Sequence, residues 1–373
     1  MHIKIRKVLI VLFLMLLSLS NVNIVSAENQ IQNDKILKGR VLKVISQSKE
    51  EVDTDDKKNI IQIQKLKVVI EDKEYNGKTL TIENRVEAKT MSSYLLKEGE
   101  QILVSLELDE NGKVTNAYMY EVMRHKYLLY LAVFFALVLI IIGGMKGFKS
   151  LITLIFTIFG VLFLIPKLIL KGYNPILVTL LIAIGITILT LNIVSGINKK
   201  TFAAIFGTIG GLIASGIIAF IVGDLCKLTG VGTEEAEMLK YIPQNVNFDF
   251  KGLLYAGILM GALGAIMDVS MSISSSMYEI SEVNKRISTG ELMKAGMNVG
   301  RDIMGTMSNT LILAYAGASL PTIMLLLAYK IPLIQFINED LMVIEILRAL
   351  AGSLGLLLSI PMTVIFSGII KNK

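Results

Sequence analysis

The sequence predicts an α-helical polytopic membrane protein of about seven spans, with a signal peptide and a small N-terminal extracytoplasmic all-β domain. Three observations lead there. The 373 residues are 53% hydrophobic and only 18% charged. Their mean hydropathy is +0.63, above what soluble domains reach. A polar segment of alternating texture comes early in the chain. Seven long apolar stretches follow it.

Residues 1–27, MHIKIRKVLIVLFLMLLSLSNVNIVSA, place Lys4, Arg6 and Lys7 before an apolar run from Val8 to Leu17. They end in the small residues Ser26 and Ala27. This is the pattern of a secretory signal peptide, with an uncleaved first helix as the alternative. Either way the segment after it is exported.

Residues 28–126 hold no long apolar run. Alternating stretches at 39–46, 60–72, 78–86, 100–108 and 113–122 are separated by Asn76-Gly77, Glu98-Gly99 and Asp109-Glu110-Asn111-Gly112. Period-two alternation punctuated by such turns reads as about five strands closing a small barrel, OB-like or SH3-like. Residues 86–96 have the texture of a short helix.

From Tyr127 onward, the helical membrane domain 127–373 carries apolar stretches at 127–143, 150–166, 175–195, 202–222, 252–275, 303–328 and 343–370. Each is near the ~20 residues that cross a ~30 Å hydrocarbon core. Pro166, Pro175, Pro321 and Pro361 fall at ends or kinks, which membrane helices tolerate. Glu345–Arg348 reads as an interfacial turn before the last span, and Glu234–Tyr241 as a short amphipathic helix. With 28–126 outside, the inner loops hold ten Lys and Arg and the outer loops six. That excess favours an exported β domain and a cytoplasmic C-terminus, although Arg124 and Lys126 run against it.

One span bears a carboxylate, Asp268, in the stretch GALGAIMDVSMSISSS (261–276). It lies about 24 Å along a helix entered at Gly252, still inside the apolar run. Gly257, Gly261, Gly264, Asp268 and Ser272 share one helical face. A row of small residues is expected to admit another helix closely. The fourth span repeats this with Gly207, Gly211 and Ser215. In GRDIMGTMSNTLILAYAGASLP (300–321), Asp302, Thr306 and Asn309 also share a face, with Arg301 beside them. The sequence therefore raises a buried ion- or substrate-binding cluster of Asp268, Ser272, Asp302, Thr306, Asn309 and Arg301. Asp302 doubles as a helix-capping acid, and Asn192 is a minor candidate.

Other chemistries fit poorly. The net charge of +6 is spread singly over loops, which suits membrane orientation rather than nucleic acid. One cysteine, Cys226, permits no internal disulfide, and His2 and His125 form no metal-ligand cluster. No histidine lies in a span to act as a base, and no Walker-type loop is present. Met267-Asp268 and Gly300-Arg301-Asp302 lack the Tyr-Asp and Gly-x-Gly-Asp contexts of intramembrane aspartyl proteases. No enzyme activity, metal or cofactor is expected. The expected partners are the lipid bilayer and a second copy or a related membrane protein.

The runs LNIVSGINKKTFAAIFGTIGGLIASG (191–216), GALGAIMDVSMSISSSMYEI (261–280) and GRDIMGTMSNTLILAYAGASLP (300–321), behind an exported strand-rich segment, resemble the YibE/F family of bacterial multi-pass membrane proteins. The resemblance covers nearly the whole chain after the signal. It implies a membrane protein, at most a permease, and supplies no catalytic residues. Two functions follow as expectations: a permease for a small solute or ion, or an envelope binding or assembly protein whose β domain recognises a partner.

Overall fold

A computed structural model describes residues 34–54, 57–71, 77–87, 94–108, 114–242 and 247–371. The signal peptide (1–27) and most of the short helix expected at 86–96 lie outside the described residues. The chain divides into two compact units, Met1–Val133 and Phe134–Lys373.

In the first unit all five expected strands form: β1 (Asp34–Thr54), β2 (Lys57–Ile70), β3 (Thr79–Glu87), β4 (Gln101–Leu108) and β5 (Val114–Val122). They close a barrel in the order β1-β2-β3-β5-β4. Among the described strands only β3 and β5 run parallel, meeting at Glu83 and Tyr118. Of the two barrel types expected, this order and its parallel pair fit the OB type. β1 is far longer than the stretch 39–46 that announced it. It pairs with β4 through Arg40 and with β2 out to Thr54, bending at irregularities after Val41 and Val44. Alternation sets the core: Ile102, Val104 and Leu106 of β4 point inward and meet Leu37, Val41, Leu66, Val68, Ile70 and Ile82. Gly39 is where β1 crosses this core, since a Cβ there would lie 2.8 Å from Val68 Cγ1.

Two amides are buried in the barrel. Gln64 Oε1 accepts from the Leu96 backbone N–H (2.8 Å) and from Asn84 Nδ2 (3.1 Å). Gln64 Nε2 donates to the Leu96 carbonyl (3.2 Å), and Asn84 Nδ2 donates also to the Tyr94 carbonyl (2.7 Å). Gln64 thus pairs with Leu96 as a neighbouring strand would, fixing a segment that has no strand of its own.

Helix begins at His125, within the first unit, and the second unit is helical. A 45-residue helical run, His125–Ile169, comprises α1 (His125–Phe159), a π-turn and α2 (Ile165–Ile169). It reverses within α1. Gly144 leaves helical geometry (φ 53°, ψ −132°), and a Cβ on Gly147 would overlap the Leu139 carbonyl eight residues back. An unbroken helix would hold those two about 12 Å apart along its axis. The remaining elements are α3 (Pro175–Ser195), α4 (Lys199–Leu225), α5 (Glu234–Met238), α6 (Phe250–Val283), α7 (Thr289–Ala318), α8 (Leu320–Ala328), α9 (Leu333–Phe336) and α10 (Asp340–Lys371). Among the described residues five helical segments are long and apolar enough to cross a membrane, and a sixth counts if α7 and α8, bent by 57°, form one broken span. The expected stretches 127–143 and 150–166 thus lie in one run. Glu345–Arg348 is no separate turn but part of the unbroken α10, joined by a 2.5 Å ion pair. The amphipathic segment appears as α5 with a 3-10 turn through Tyr241.

α4, α6 and α10 form the centre, with α3 and α7 outside it. Asn174, Asn198, Asp249 and Ser288 cap the starts of α3, α4, α6 and α7. Ser288 and Glu291 form a full capping box. Between α4 and α10 the contact is almost backbone to backbone. Cβ atoms added to Gly207 would overlap Thr363, and those added to Gly211 would lie 2.7 Å from Ser359 Cβ. A Cβ on Gly355 would lie 2.5 Å from Ser215 Cβ. Leu212, Leu259, Ile266, Ile273, Leu356 and Ile360 fill the space beside this seam.

Two outcomes are expected. Replacing Gly211→Leu lowers stability by about 1–3 kcal/mol through overpacking and lowers the melting temperature in detergent, whereas Gly257→Ala, with nothing within 4 Å of the new methyl, does not. Replacing Gln64→Leu strands the Leu96 N–H and costs about 1–3 kcal/mol, read by denaturant unfolding and by faster hydrogen exchange at Leu96.

Candidate functional site

Asp268 sits on α6 past its midpoint, and its position follows from which faces of that helix are occupied. α10 approaches at Ala262, a Cβ on Gly352 lying 3.3 Å from it. α4 packs against Ile266 and Leu259. α3 meets the flank at Met271, whose sulfur accepts from Ser195 Oγ at 3.7 Å. α7 meets the other flank, with Gly300 against Ile273 and the Tyr315 hydroxyl against Gly261.

What remains is a strip between α3 and α7: Gly257, Gly261, Gly264, Asp268 and Ser272, all exposed. The sequence placed these residues on a packed face. The structure corrects that for Gly257 and Gly264, where a Cβ would meet nothing within 4 Å. The physical reason is that bulk packs on the other sides of α6, through Leu259, Leu263, Ile266 and Ile273. Gly207 and Gly211 do sit in a helix contact.

α7 buries Leu292, Gly296, Gly300 and Leu311. Asp302, Thr306 and Asn309 lie about half a turn round from that face and are exposed. Thr306 Oγ1 donates to the Ile303 carbonyl (2.9 Å) in its own helix. Arg301 reaches Asn298 Oδ1 at 3.4 Å. The six-residue cluster is therefore not assembled: α6 and α7 each turn their polar residues outward, and no bond joins Asp268 or Ser272 to the polar residues of α7 among the described residues. Asn192 Nδ2 donates to the Ile188 carbonyl (2.7 Å), while its Oδ1 is buried without a partner. Among the described residues no group of three His, Cys, Asp or Glu side chains is placed to hold a metal.

Sequence reading overlooked two features. One is the α10 side of the central seam, Gly355, Ser359 and Thr363, which the spacing i, i+4, i+8 announces. The other is Tyr315, whose hydroxyl is buried without a partner beside Gly261 at the edge of the strip.

With Cys226→Ser as background, Ser272→Cys is expected to react with a small thiol reagent in detergent and Ser270→Cys, fully buried, to resist it. Equal rates at both positions would contradict the placement of the strip.

Residues 131–373 match the family described as YibE/F-like protein, and residues 32–122 match the YibE/F family N-terminal domain. Comparison with curated proteins and with solved structures gives no match. The first match alone spans well over half of the chain and takes in α2–α10 entirely, Asp268 and Asp302 included. The chain belongs to the YibE/F family.

Proposed function

We propose that this protein is a permease of the bacterial cell membrane, moving a small solute or ion along the strip on α6 with Asp268 as its ion- or proton-exchanging group. The single observation that carries the reading is Asp268 exposed on a helix face otherwise made of Gly257, Gly261, Gly264 and Ser272. A carboxylate in hydrocarbon costs ~2.5–3.5 kcal/mol or more at the centre of a span, and Asp is too short to reach far toward the headgroups. The strip therefore faces water or polar protein rather than lipid tails. Glycines keep it free of side chains, leaving width for a hydrated ion beside the acid.

In this reading the reversal at Gly144 makes the first helical run two crossings, and the bent pair α7–α8 makes one, for seven in all. Residues 1–27 direct export, the barrel stands outside the cytoplasm and the C-terminus lies inside, as the distribution of Lys and Arg favours. Asp302, Thr306, Asn309 and Arg301 leave the site; Asp268 and Ser272 remain.

A second reading has one observation in its favour. Tyr118 and Tyr120 stand on the same face of β5, 47% and 60% exposed, as aromatic anchors for an envelope partner do. There the barrel recognises the partner and the helices anchor it.

In proteoliposomes with a trapped pH-sensitive dye, the wild-type protein is expected to dissipate an imposed proton or cation gradient and Asp268→Asn to abolish that flux while still folding. Full flux in the mutant removes Asp268 from the mechanism. Deleting residues 28–120 is expected to leave flux intact; loss of a captured envelope partner with no flux in either form supports the second reading instead.

A further inference from the structure

At the end of the bundle opposite the start of α6, α4, α6, α7 and α10 meet around a cavity of about 300 Å³. The first turn of α4 brings Lys199 and Lys200, the turn after α6 brings Lys285, and the end of α10 brings Lys371. One carboxylate, Glu282, shares the wall. Glu291 lies near Lys371, but its carboxylate is already engaged by Ser288. Among the described residues none of the four lysines forms an ion pair.

The placement of two of these charges is unfavourable by itself. Lys199 and Lys200 open a 27-residue helix whose first turn holds no acid. The positive end of the helix dipole lies there, and anions rather than cations stabilise it. Lys285 and Lys371 add to that charge. A bound anion would offset all five sources of positive potential together.

The walls are fitted for such a ligand. Lys200 Nζ lies over the Tyr278 ring at 5.5 Å, which keeps its stem along the wall. Lys371 Nζ donates to the Ile287 carbonyl, drawing the end of α10 onto the turn that carries Lys285. Ser367 Oγ is buried without a partner, a free donor for a ligand oxygen. Ser274 is spoken for, donating to the Lys200 carbonyl at 2.6 Å. The floor is apolar, with Ala203, Met277 and Leu292. We propose that this cavity binds a phosphate-bearing anion, either the headgroup of an anionic phospholipid or a soluble phosphate compound. Basic pockets between membrane helices are suited to both chemistries.

The test uses the full-length protein in nonionic detergent. Its thermal midpoint is titrated with inorganic phosphate and, separately, with phosphatidylglycerol against phosphatidylcholine in mixed micelles. Saturable stabilisation is expected, and in the double variant Lys200→Gln/Lys285→Gln it requires at least about tenfold more ligand. Lys171→Gln/Lys240→Gln, with the same change in net charge, titrates as wild type. Ser281→Asp, which adds a negative charge to the wall, weakens binding independently should the lysine variant fail to fold. A response to phosphatidylglycerol alone identifies a lipid headgroup, and a response to phosphate alone identifies a soluble ligand. No saturable response to either, or identical titrations in the pocket and control variants, overturns the proposal.

Discussion

α4 and α10 touch along two rows of small residues, Gly207, Gly211 and Ser215 on one and Gly355, Ser359 and Thr363 on the other. In a bilayer helices gain little from escaping solvent, so association depends on close packing and on hydrogen bonds. Here the two hydroxyls on α10 turn inward to their own helix: Thr363 Oγ1 donates to the Ser359 carbonyl (2.8 Å) and Ser359 Oγ to the Leu356 carbonyl (2.7 Å). The seam is thereby left smooth for van der Waals contact. The other central helix is placed by this one contact. α6 rests on the pair with Leu259, Ala262 and Ile266, and its opposite face is what remains open.

The same logic, with different chemistry, governs the barrel. Its closure leaves Tyr94–Leu96 outside any strand, and backbone groups buried there need partners. Gln64 and Asn84, both under 5% exposed, supply them. These buried amides are acceptable because both polar atoms of the Gln64 amide are matched and Asn84 Nδ2 has two acceptors. The helical unit contrasts with this: Ser215, Ser270 and Tyr315 keep buried hydroxyl oxygens without partners.

Much of this architecture is legible in the residues. The alternation that located five strands fails only in length, because β1 runs on past Val44 through polar residues that no core requires. Helix existence is equally plain from hydropathy. Which side of a helix is covered is harder. Gly207-xxx-Gly211 and Gly257-xxx-Gly261 read alike, yet both glycines of the first lie in a seam, whereas Gly257 is open and Gly261 meets only the Tyr315 ring and hydroxyl. Small-residue periodicity identifies a face able to be approached and carries no information about whether a partner comes. Asp302, Thr306 and Asn309 fail for a related reason: a shared face was correct, but its direction was set by Gly296, Gly300 and Leu311 packing on the far side. The lysine-lined cavity was invisible because its members lie 172 positions apart at the extremes, Lys199 to Lys371.

The strip on α6 has a boundary made of main chain where most binding surfaces are made of rotamers. At Gly257 and Gly264 its contour cannot fluctuate by side-chain hopping, and the neighbouring core does not feel what is grafted there. Calibre and polarity along that line are thus uncoupled from the integrity of the bundle. Related chains could vary them one methyl or hydroxyl at a time while keeping the scaffold unaltered.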